Sequence, residues 1–213
     1  VPVYELGRND QGHLFYAMKC VKGTPWNELI HQKSRPENLD IWRRVADAVS
    51  FAHSRNVIHR DLKPGNVMLG SYGEVLLMDW GLAMRLGDTA DNTVSGTPAY
   101  MAPEMAKGEG SRLGPHSDIY LLGAILHEVV TGHPPHDAPD VMECLAQAAD
   151  NHIAGQPTGD ELADIALKAM ATEPTERYRS ATELQQAVRD YEAHLESIGL
   201  ATRAATTLKE AED

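Results

Sequence analysis

Four polar residues in the first half of the chain have the types and spacing needed to transfer a phosphoryl group. Asp61, Lys63 and Asn66 lie close together, and Asp79 follows after a short predicted hairpin. Carboxylate and amide oxygens suit Mg²⁺, and a carboxylate can also take the proton of a hydroxyl group. Lysine supplies a cation for the phosphoryl oxygens, and Gly81 lets the backbone turn sharply near Asp79. These residues predict a phosphoryl-transfer site.

The elements that must position these residues are short strands and one long helix. Apolar residues from Trp42 to Ala52 recur at helical spacing and predict an amphipathic helix that ends near Arg55. A pair of strands joined by a turn at residues 9–12 is predicted before it. Thr24, followed by Pro25, has the pattern of a helix start. Short β-type segments are predicted at 57–58, 67–69 and 75–78.

The second half of the chain is predicted to be helical. Residues 88–97 are polar, which predicts a loop. Residues 119–130 are apolar almost all round and predict a central buried helix. Further helices are predicted at 139–150, 160–171 and 180–197. Ser180 and Glu183 form the capping pattern of the last helix, and Gly199 is expected to end it. Residues 201–213 are interpreted as a further helix or a linker, and the predicted fold class is α+β.

These residues belong to a set of motifs that resembles the eukaryotic-type (Hanks-type) serine/threonine protein kinases, in particular their bacterial subgroup. Residues 59–66 resemble the catalytic loop H-R-D-L-x-x-x-N, and residues 79–81 resemble the D-F-G triplet. Residues 101–104 resemble the A-P-E triplet, and residues 117–123 resemble the start of the buried F helix. Arg177 resembles the arginine that pairs with the A-P-E glutamate, Glu104. The order of these motifs implies a protein-kinase-like fold, mainly its helical large lobe.

The resemblance implies a role for each chemical residue, with ATP and Mg²⁺ as cofactors and a protein Ser or Thr as acceptor. Asp61 would orient the acceptor hydroxyl or accept its proton, and Lys63 would neutralise the transferring group. Asn66 and Asp79 would hold Mg²⁺. Thr97, in the substrate-facing loop (residues 97–101), would bond to Asp61 and Lys63, which favours Ser/Thr over Tyr.

The resemblance also implies an adenine site and a packed spine. The expected spine stacks His59, Trp80 and Val3 above Asp118. The nucleotide-contacting residues would be Met18 as gatekeeper, Lys19 and Val21 in the hinge, and Met68 as floor.

Arg60 precedes the catalytic aspartate and would pair with a phosphate on the activation loop. Thr93 is the first candidate acceptor of that phosphate, followed by Thr89 and Ser95. The alternative is that these hydroxyls are ordinary polar loop residues.

The motifs divide the chain into residues 1–22, the end of the small lobe and hinge; 23–198, the large lobe; and 199–213, a tail or linker. The sequence contains no glycine-rich G-x-G-x-x-G motif and no V-A-I-K-type lysine. We therefore expect an upstream small-lobe segment and little turnover by these residues alone. The alternative is a truncated, kinase-like binding scaffold. A small-molecule phosphotransferase related to the aminoglycoside kinases is disfavoured by the A-P-E element.

The amino-acid composition of the chain limits the kinds of partner that it can bind. The formal net charge of −12 disfavours nucleic-acid binding, and the sequence has no apolar run long enough to span a membrane. A cytoplasmic protein, or the cytoplasmic part of a larger one, is expected. Cys20 and Cys144 are interpreted as free thiols. His133 and His136 are interpreted as residues of a solvated loop, not as a metal pair.

Overall fold

The computed structural model describes residues 3–88, 92–155 and 159–212. It begins with strands β1 (Val3–Arg8) and β2 (Leu14–Met18), which form an antiparallel hairpin. Gly12 in the turn has φ +82°, a conformation that glycine adopts without strain. The predicted hairpin is confirmed.

The prediction of a helix start at Thr24 is wrong. Thr24–Pro25 is strand β3, and it pairs with β5 (Val67–Leu69), which pairs in turn with β6 (Val75–Leu77). β3 lies at the edge of this sheet, where the missing N–H of Pro25 is tolerated. A 3₁₀ turn at Trp26–Glu28 follows, so no α-helix begins there.

Helix α1 (Arg35–Ser54) confirms the predicted long amphipathic helix. The Glu37 carboxylate accepts a hydrogen bond of 2.9 Å from the backbone N–H of Ser34, which closes the first turn. Trp42 is completely buried, and its indole N–H donates to the carbonyl of Leu122 at 3.0 Å. This bond fixes α1 against the helix that fills the core.

That helix is α3 (Pro115–Thr131), and all its residues from Ser117 to Glu128 are buried, as the apolar sequence predicts. Gly132, with φ +84°, forms its left-handed C-cap. The remaining elements surround it. They are β4 (Val57–Ile58), β7 (Met84–Arg85), α2 (Pro103–Ala106), α4 (Val141–Asp150), α5 (Glu161–Ala169) and α6 (Ala181–Glu212).

Gly123 sets the close approach of α3 and α5, and its substitution gives a first prediction. A Cβ at Gly123 would lie 2.6 Å from the Cβ of Ala169 and 3.0 Å from the carbonyl oxygen of Ala166. Because the second neighbour is helix backbone, the two helices must separate. We expect Gly123→Ala to lower the free energy of unfolding by about 1–3 kcal/mol in urea titrations.

Gly199 provides the matched control for that substitution. It lies inside α6 with no heavy atom within 4 Å of an added Cβ. Gly199→Ala should therefore be neutral, or stabilising by up to about 1 kcal/mol, through helix propensity. Equal effects of the two alanines would contradict the packing argument.

Helix α6 runs through Gly199 to Glu212, so the predicted helix end at Gly199 is wrong. Gly199 lacks the positive φ of a helix C-cap, and the residues after it are alanine-rich. The start of α6 agrees with the predicted capping pattern, because the hydroxyl of Ser180 accepts a hydrogen bond of 3.1 Å from the backbone N–H of Glu183. The expected boundary at residue 199 falls within one continuous helix.

The interpretation of His136 as a solvated residue is also wrong. Its side chain is 0% exposed and is hydrogen-bonded within the core, whereas His133 is exposed. Within the described residues, no group of three His, Cys, Asp or Glu side chains could hold a metal ion. In the same part of the chain, no helix is long and apolar enough to cross a membrane.

Candidate active site

Four of the candidate catalytic residues lie on two loops that a backbone hydrogen bond joins, and the fifth, Thr97, lies on the segment before α2. Strand β4 leads into residues 59–66, which end in a 3₁₀ turn at Pro64–Asn66. The β5–β6 hairpin then returns the chain, and the N–H of Met78 donates to the carbonyl of Asn66 at 2.7 Å. The residue before Asp79 is therefore bonded to the turn that carries Asn66.

The carboxylate of Asp61 is the centre of the site. Its Oδ1 accepts the hydroxyl of Thr97 at 2.8 Å, and its Oδ2 lies 2.9 Å from the ammonium nitrogen of Lys63. The amide of Asn66 donates to Oδ2 at 2.9 Å and to the backbone carbonyl of Asp61 at 2.8 Å. Lys63 also donates to the Thr97 hydroxyl. The structure thus brings together four of the residues that the sequence singled out.

The surroundings of Asp61 keep its carboxylate ionised. Burial raises the pKa of Asp61, but hydrogen bonds from Lys63, Thr97 and Asn66 and the Lys63 charge outweigh burial, so the pKa lies below its ordinary value. An anion at this position is a weak base that accepts hydrogen bonds strongly. Such a group is suited to orienting a hydroxyl donor.

Asp79 faces an open cleft. Its φ is +52°, and its Oδ1 accepts a bond of 3.2 Å from the N–H of Gly81. Asp79 lines a cavity of about 320 Å³ together with Met18, Trp80 and the strand residues Leu6 and Tyr16. The cavity has mostly apolar walls and one carboxylate, as expected for a site that takes a flat ring and a charged group.

Two oxygen donors in this region fit a magnesium ion. The amide nitrogen of Asn66 makes both contacts with Asp61. Within the described residues, its amide oxygen accepts no hydrogen bond and is therefore available to a metal ion. The Asp79 carboxylate is exposed, and its only hydrogen bond in the described part is the one from Gly81. One carboxylate and one amide oxygen, completed by water and phosphate, are a suitable ligand set for Mg²⁺.

The predicted nucleotide-contacting residues do not all line this cavity. Met18 does, together with Asp79. Lys19 is exposed and Val21 half-buried beyond the end of β2, and neither lines it. Met68 is half-buried in β5, paired with Pro25 on one side and Leu76 on the other. The nucleotide-binding roles of all four residues stay predictions.

His59 and Trp80 form an edge-to-face pair with ring centroids 4.6 Å apart. The His59 ring lies 3.1 Å from the carbonyl of Met78, and burial lowers the pKa of His59. The indole N–H of Trp80 donates to the carbonyl of Leu77 at 3.3 Å. The side chain of Val3, the third expected member of this stack, lies outside the described residues.

Asp118, at the start of α3, holds the catalytic loop from below. Its two oxygens accept the backbone N–H groups of His59 and Arg60 at 2.8 and 2.9 Å. His53 donates to the same carboxylate at 2.8 Å. His53 is not among the residues predicted from the sequence, because its partner lies 65 residues away. Its proximity to the H-R-D motif is the one signal for it in the sequence.

Arg60 lies beside two of the expected phosphate acceptors. Its φ is +68°, and its Nε donates to the carbonyl of Leu82 at 2.6 Å. Arg60, Thr93 and Ser95 line one small cavity. Thr89 lies outside the described residues.

Glu104 and Arg177 form a buried, bidentate ion pair with two N···O distances of 2.8 Å. The remaining guanidinium N–H groups donate to carbonyls of the neighbouring loops, and Ser117 donates to Glu104 at 2.9 Å. Those carbonyls belong to Ala171, His116 and Thr172. The pair therefore joins α2, the start of α3 and the loop after α5.

Comparison with known proteins identifies the family of the chain. The protein kinase domain family matches residues 3–189. A probable serine/threonine-protein kinase of Streptomyces coelicolor is 33% identical over 205 residues, which cover 87% of this chain and 30% of that protein. Serine/threonine-protein kinase PknB of Mycolicibacterium smegmatis is 34% identical over 204 residues, which cover 87% of this chain and 32% of PknB.

A more distant relative is serine/threonine-protein kinase PknD of Protochlamydia amoebophila, 30% identical over 238 residues, which cover 92% of this chain and 24% of PknD. The chain thus spans about a third or less of the length of these relatives. The match over most of the chain and the α+β architecture lead to one conclusion: the chain belongs to the protein kinase family, and these relatives are bacterial Hanks-type serine/threonine kinases.

Proposed function

We propose that the protein containing this domain transfers the γ-phosphoryl group of ATP to Ser or Thr hydroxyls of other proteins. The single observation that carries the proposal is the convergence of Lys63, Asn66 and Thr97 on the carboxylate of Asp61. Phosphoryl transfer depends on positioning and charge neutralisation more than on covalent chemistry. The four residues supply a hydroxyl-orienting anion, a cation and a metal-binding amide.

Each residue has a distinct part in this proposal. Asp61, ionised in the resting protein, accepts the hydrogen bond of the acceptor hydroxyl and turns its oxygen towards the phosphorus. Lys63 faces the phosphoryl oxygens, while Asn66 and Asp79 hold Mg²⁺. When bound, Mg²⁺ neutralises charge on the terminal phosphates. Because the reaction consumes ATP, we propose that the domain lies in the cytoplasm.

The β1–β2 hairpin supports a further small-lobe segment as the partner of these residues. Its described side chains include several large apolar groups that are exposed, and a two-stranded hairpin has little stability of its own. These residues are Tyr4, Leu6, Leu14, Phe15 and Tyr16. We propose that strands carrying the glycine-rich loop and the phosphate-binding lysine cover them.

Arg60 supports regulation by phosphorylation. A phosphate on Thr93 or Ser95 would place a dianion opposite the Arg60 guanidinium and order the loop, and Thr89 stays a further candidate acceptor. The shared cavity of Arg60, Thr93 and Ser95 is the observation behind this proposal.

The test compares two proteins, the 213-residue chain and a chimera with the small-lobe strands of PknB from Mycolicibacterium smegmatis fused before β1. With radiolabelled Mg·ATP and casein, we expect phosphoserine and phosphothreonine from the chimera and little transfer by the chain alone. Strong transfer by the chain alone would refute the need for further strands. A chimera that binds ATP without transferring phosphate would favour the binding-scaffold alternative.

A further inference from the structure

The apolar face of helix α6 continues beyond the part that packs on the core. Leu184, Val188 and Tyr191 follow one another at spacings of four and three residues, and all three are buried. The same spacing continues to Leu195 and Ile198, whose side chains are 48% and 51% exposed. The stripe that binds α6 to the body of the domain therefore extends past it.

Beyond Ser197, no hydrogen bond joins α6 to the rest of the described chain. Three threonine hydroxyls in residues 198–207 donate to carbonyls four residues earlier, and so does the Arg203 guanidinium. Helices in proteins are stabilised mainly by packing of an apolar face, and a segment of this length is marginal in water on its own. We therefore expect this part of α6 to have a packing partner.

A groove lies beside the exposed face, where α6 passes the start of α1. Its volume is about 380 Å³, and its apolar walls are formed by Pro36, Leu39, Tyr191 and Leu195. Leu195 belongs both to the groove and to the exposed stripe. The two features therefore form one continuous apolar surface.

The charged residues of the groove leave one carboxylate unpaired. The Arg35 guanidinium lies 2.8 Å from a carboxylate oxygen of Asp160, and a carboxylate oxygen of Glu192 lies 3.1 Å from the Arg43 guanidinium. Glu196 also lines the groove, and this exposed residue has no ion pair in the part of the chain that the structure describes. A molecule that covers the groove should therefore carry a cation opposite Glu196.

Helix α6 itself carries such a cation on the same flank. Arg203 follows Glu196 by seven residues, or about two helical turns, so both side chains lie on one side of the helix about 10 Å apart along its axis. This separation is too large for an ion pair within one copy. Arg203 is exposed, and its only hydrogen bond among the described residues is to the backbone of α6.

We propose that this surface binds a second copy of the chain, with the two α6 helices antiparallel and crossing near the midpoint between Glu196 and Arg203. Glu196 of each copy then lies opposite Arg203 of the other, which gives two symmetric ion pairs. The two Ile198 side chains meet on the opposite flank, and Leu195 packs against the residues around Thr202 of the other copy. The interface is independent of the proposed catalytic activity.

The charge pattern selects the antiparallel arrangement. In a parallel pair each residue lies beside its own counterpart, so Glu196 would face Glu196 and Arg203 would face Arg203, and like charges oppose pairing. An unrelated basic helix could pair with Glu196, but its cations would repel Arg203. A second copy satisfies the acidic and the basic residue together. Because the contact is small, we expect a weak dimer.

Sedimentation equilibrium of the 213-residue chain at about 5–500 μM tests the proposal. We expect a reversible monomer–dimer equilibrium that weakens as the salt concentration rises. Glu196→Arg and Arg203→Glu should each raise the dissociation constant by about five- to thirtyfold, because both symmetric pairs become repulsive. The double variant exchanges the two charges and should return the dissociation constant to within about threefold of wild type.

Two further variants complete the test. Ile198→Asp should raise the dissociation constant by at least about tenfold, because two carboxylates would meet across the pair. Asp150→Arg, at an exposed position near the end of α4, changes the charge as Glu196→Arg does and should leave the dimer unchanged. All these positions are exposed, and circular dichroism would show that each variant keeps its helix content.

Three outcomes would overturn the proposal. A chain that stays monomeric throughout the concentration range would mean that another molecule, or solvent alone, covers this face. A dimer that the α6 variants leave unchanged would mean that the copies meet elsewhere, for example through the exposed side chains of the β1–β2 hairpin. A double variant that dimerises no better than the single variants would exclude the pairing of Glu196 with Arg203.

Discussion

Asp61→Asn is expected to reduce phosphoryl transfer by about a hundred- to ten-thousand-fold in a form of the protein that has the complete nucleotide site. The carboxylate is the common acceptor of Lys63, Asn66 and Thr97. An asparagine has one oxygen and one donating nitrogen. It would therefore lose the Lys63 ion pair, and its NH₂ group would face the donor group of one of these three partners. It would also lose the charge that orients the acceptor hydroxyl. The measurement is kcat with casein at saturating Mg·ATP.

The fold should survive this substitution, because removing the Asp61 charge also removes its desolvation penalty. Circular dichroism and thermal unfolding close to those of wild type would show this. Asp150→Asn, at an exposed position near the end of α4, is the matched control and should keep wild-type turnover. Near-normal kcat in Asp61→Asn would refute the role assigned to Asp61.

Local sequence patterns predict the elements that are stabilised by local interactions. The periodic apolar residues of α1 and the apolar run of α3 predict both helices, because helix hydrogen bonds and faces repeat along the chain. The spacing of Asp61, Lys63 and Asn66 identifies them as a chemical group. Only the kinase resemblance, however, connects them to Thr97, which lies 36 residues from Asp61.

Distant partners explain what the sequence does not predict. Thr24–Pro25 has the pattern of a helix start, but pairing with Met68 and Leu69 decides its conformation. Gly199 is a different case, because no distant partner decides it: the alanine-rich residues after it continue the helix in spite of the glycine. His136 reads as a loop residue, yet its ring is enclosed by segments that precede and follow it by many residues. Propensity is a weak guide wherever tertiary contacts of this kind decide.

Arg177→Ala is expected to lower the free energy of unfolding by about 3–5 kcal/mol, the largest stability effect predicted for a single residue. The guanidinium is fully enclosed, and its donors are taken up by Glu104 and by three backbone carbonyls. Alanine leaves the Glu104 carboxylate buried without a counter-charge and leaves those carbonyls without donors. Urea unfolding followed by tryptophan fluorescence measures the loss.

Arg112→Ala is the control for this substitution, because Arg112 pairs with Glu109 and Glu173 at the surface. Exposed ion pairs contribute little, so we expect a loss below about 1 kcal/mol. A loss in Arg177→Ala no larger than that of Arg112→Ala would show that the buried pair does not hold the loops together.

The pH dependence of stability distinguishes the charge interaction between Glu104 and Arg177 from the packing of the Arg177 side chain. Burial raises the pKa of Glu104, but the hydrogen bonds and charge of Arg177 outweigh burial, so the pKa lies below the ordinary value of 4.5. In wild type this contribution is present above about pH 4.5 and is lost as the pH falls through the lowered pKa. In Arg177→Ala the influence of the guanidinium is gone, and only the hydrogen bonds from Ser117 and the backbone still oppose burial. We therefore expect the pKa of Glu104 to rise above its ordinary value and the variant's deficit to shrink as the pH falls towards about 4.5. A deficit that stays constant between neutral pH and that value would mean that Arg177 acts through its volume and its carbonyl bonds, and not through the charge of Glu104.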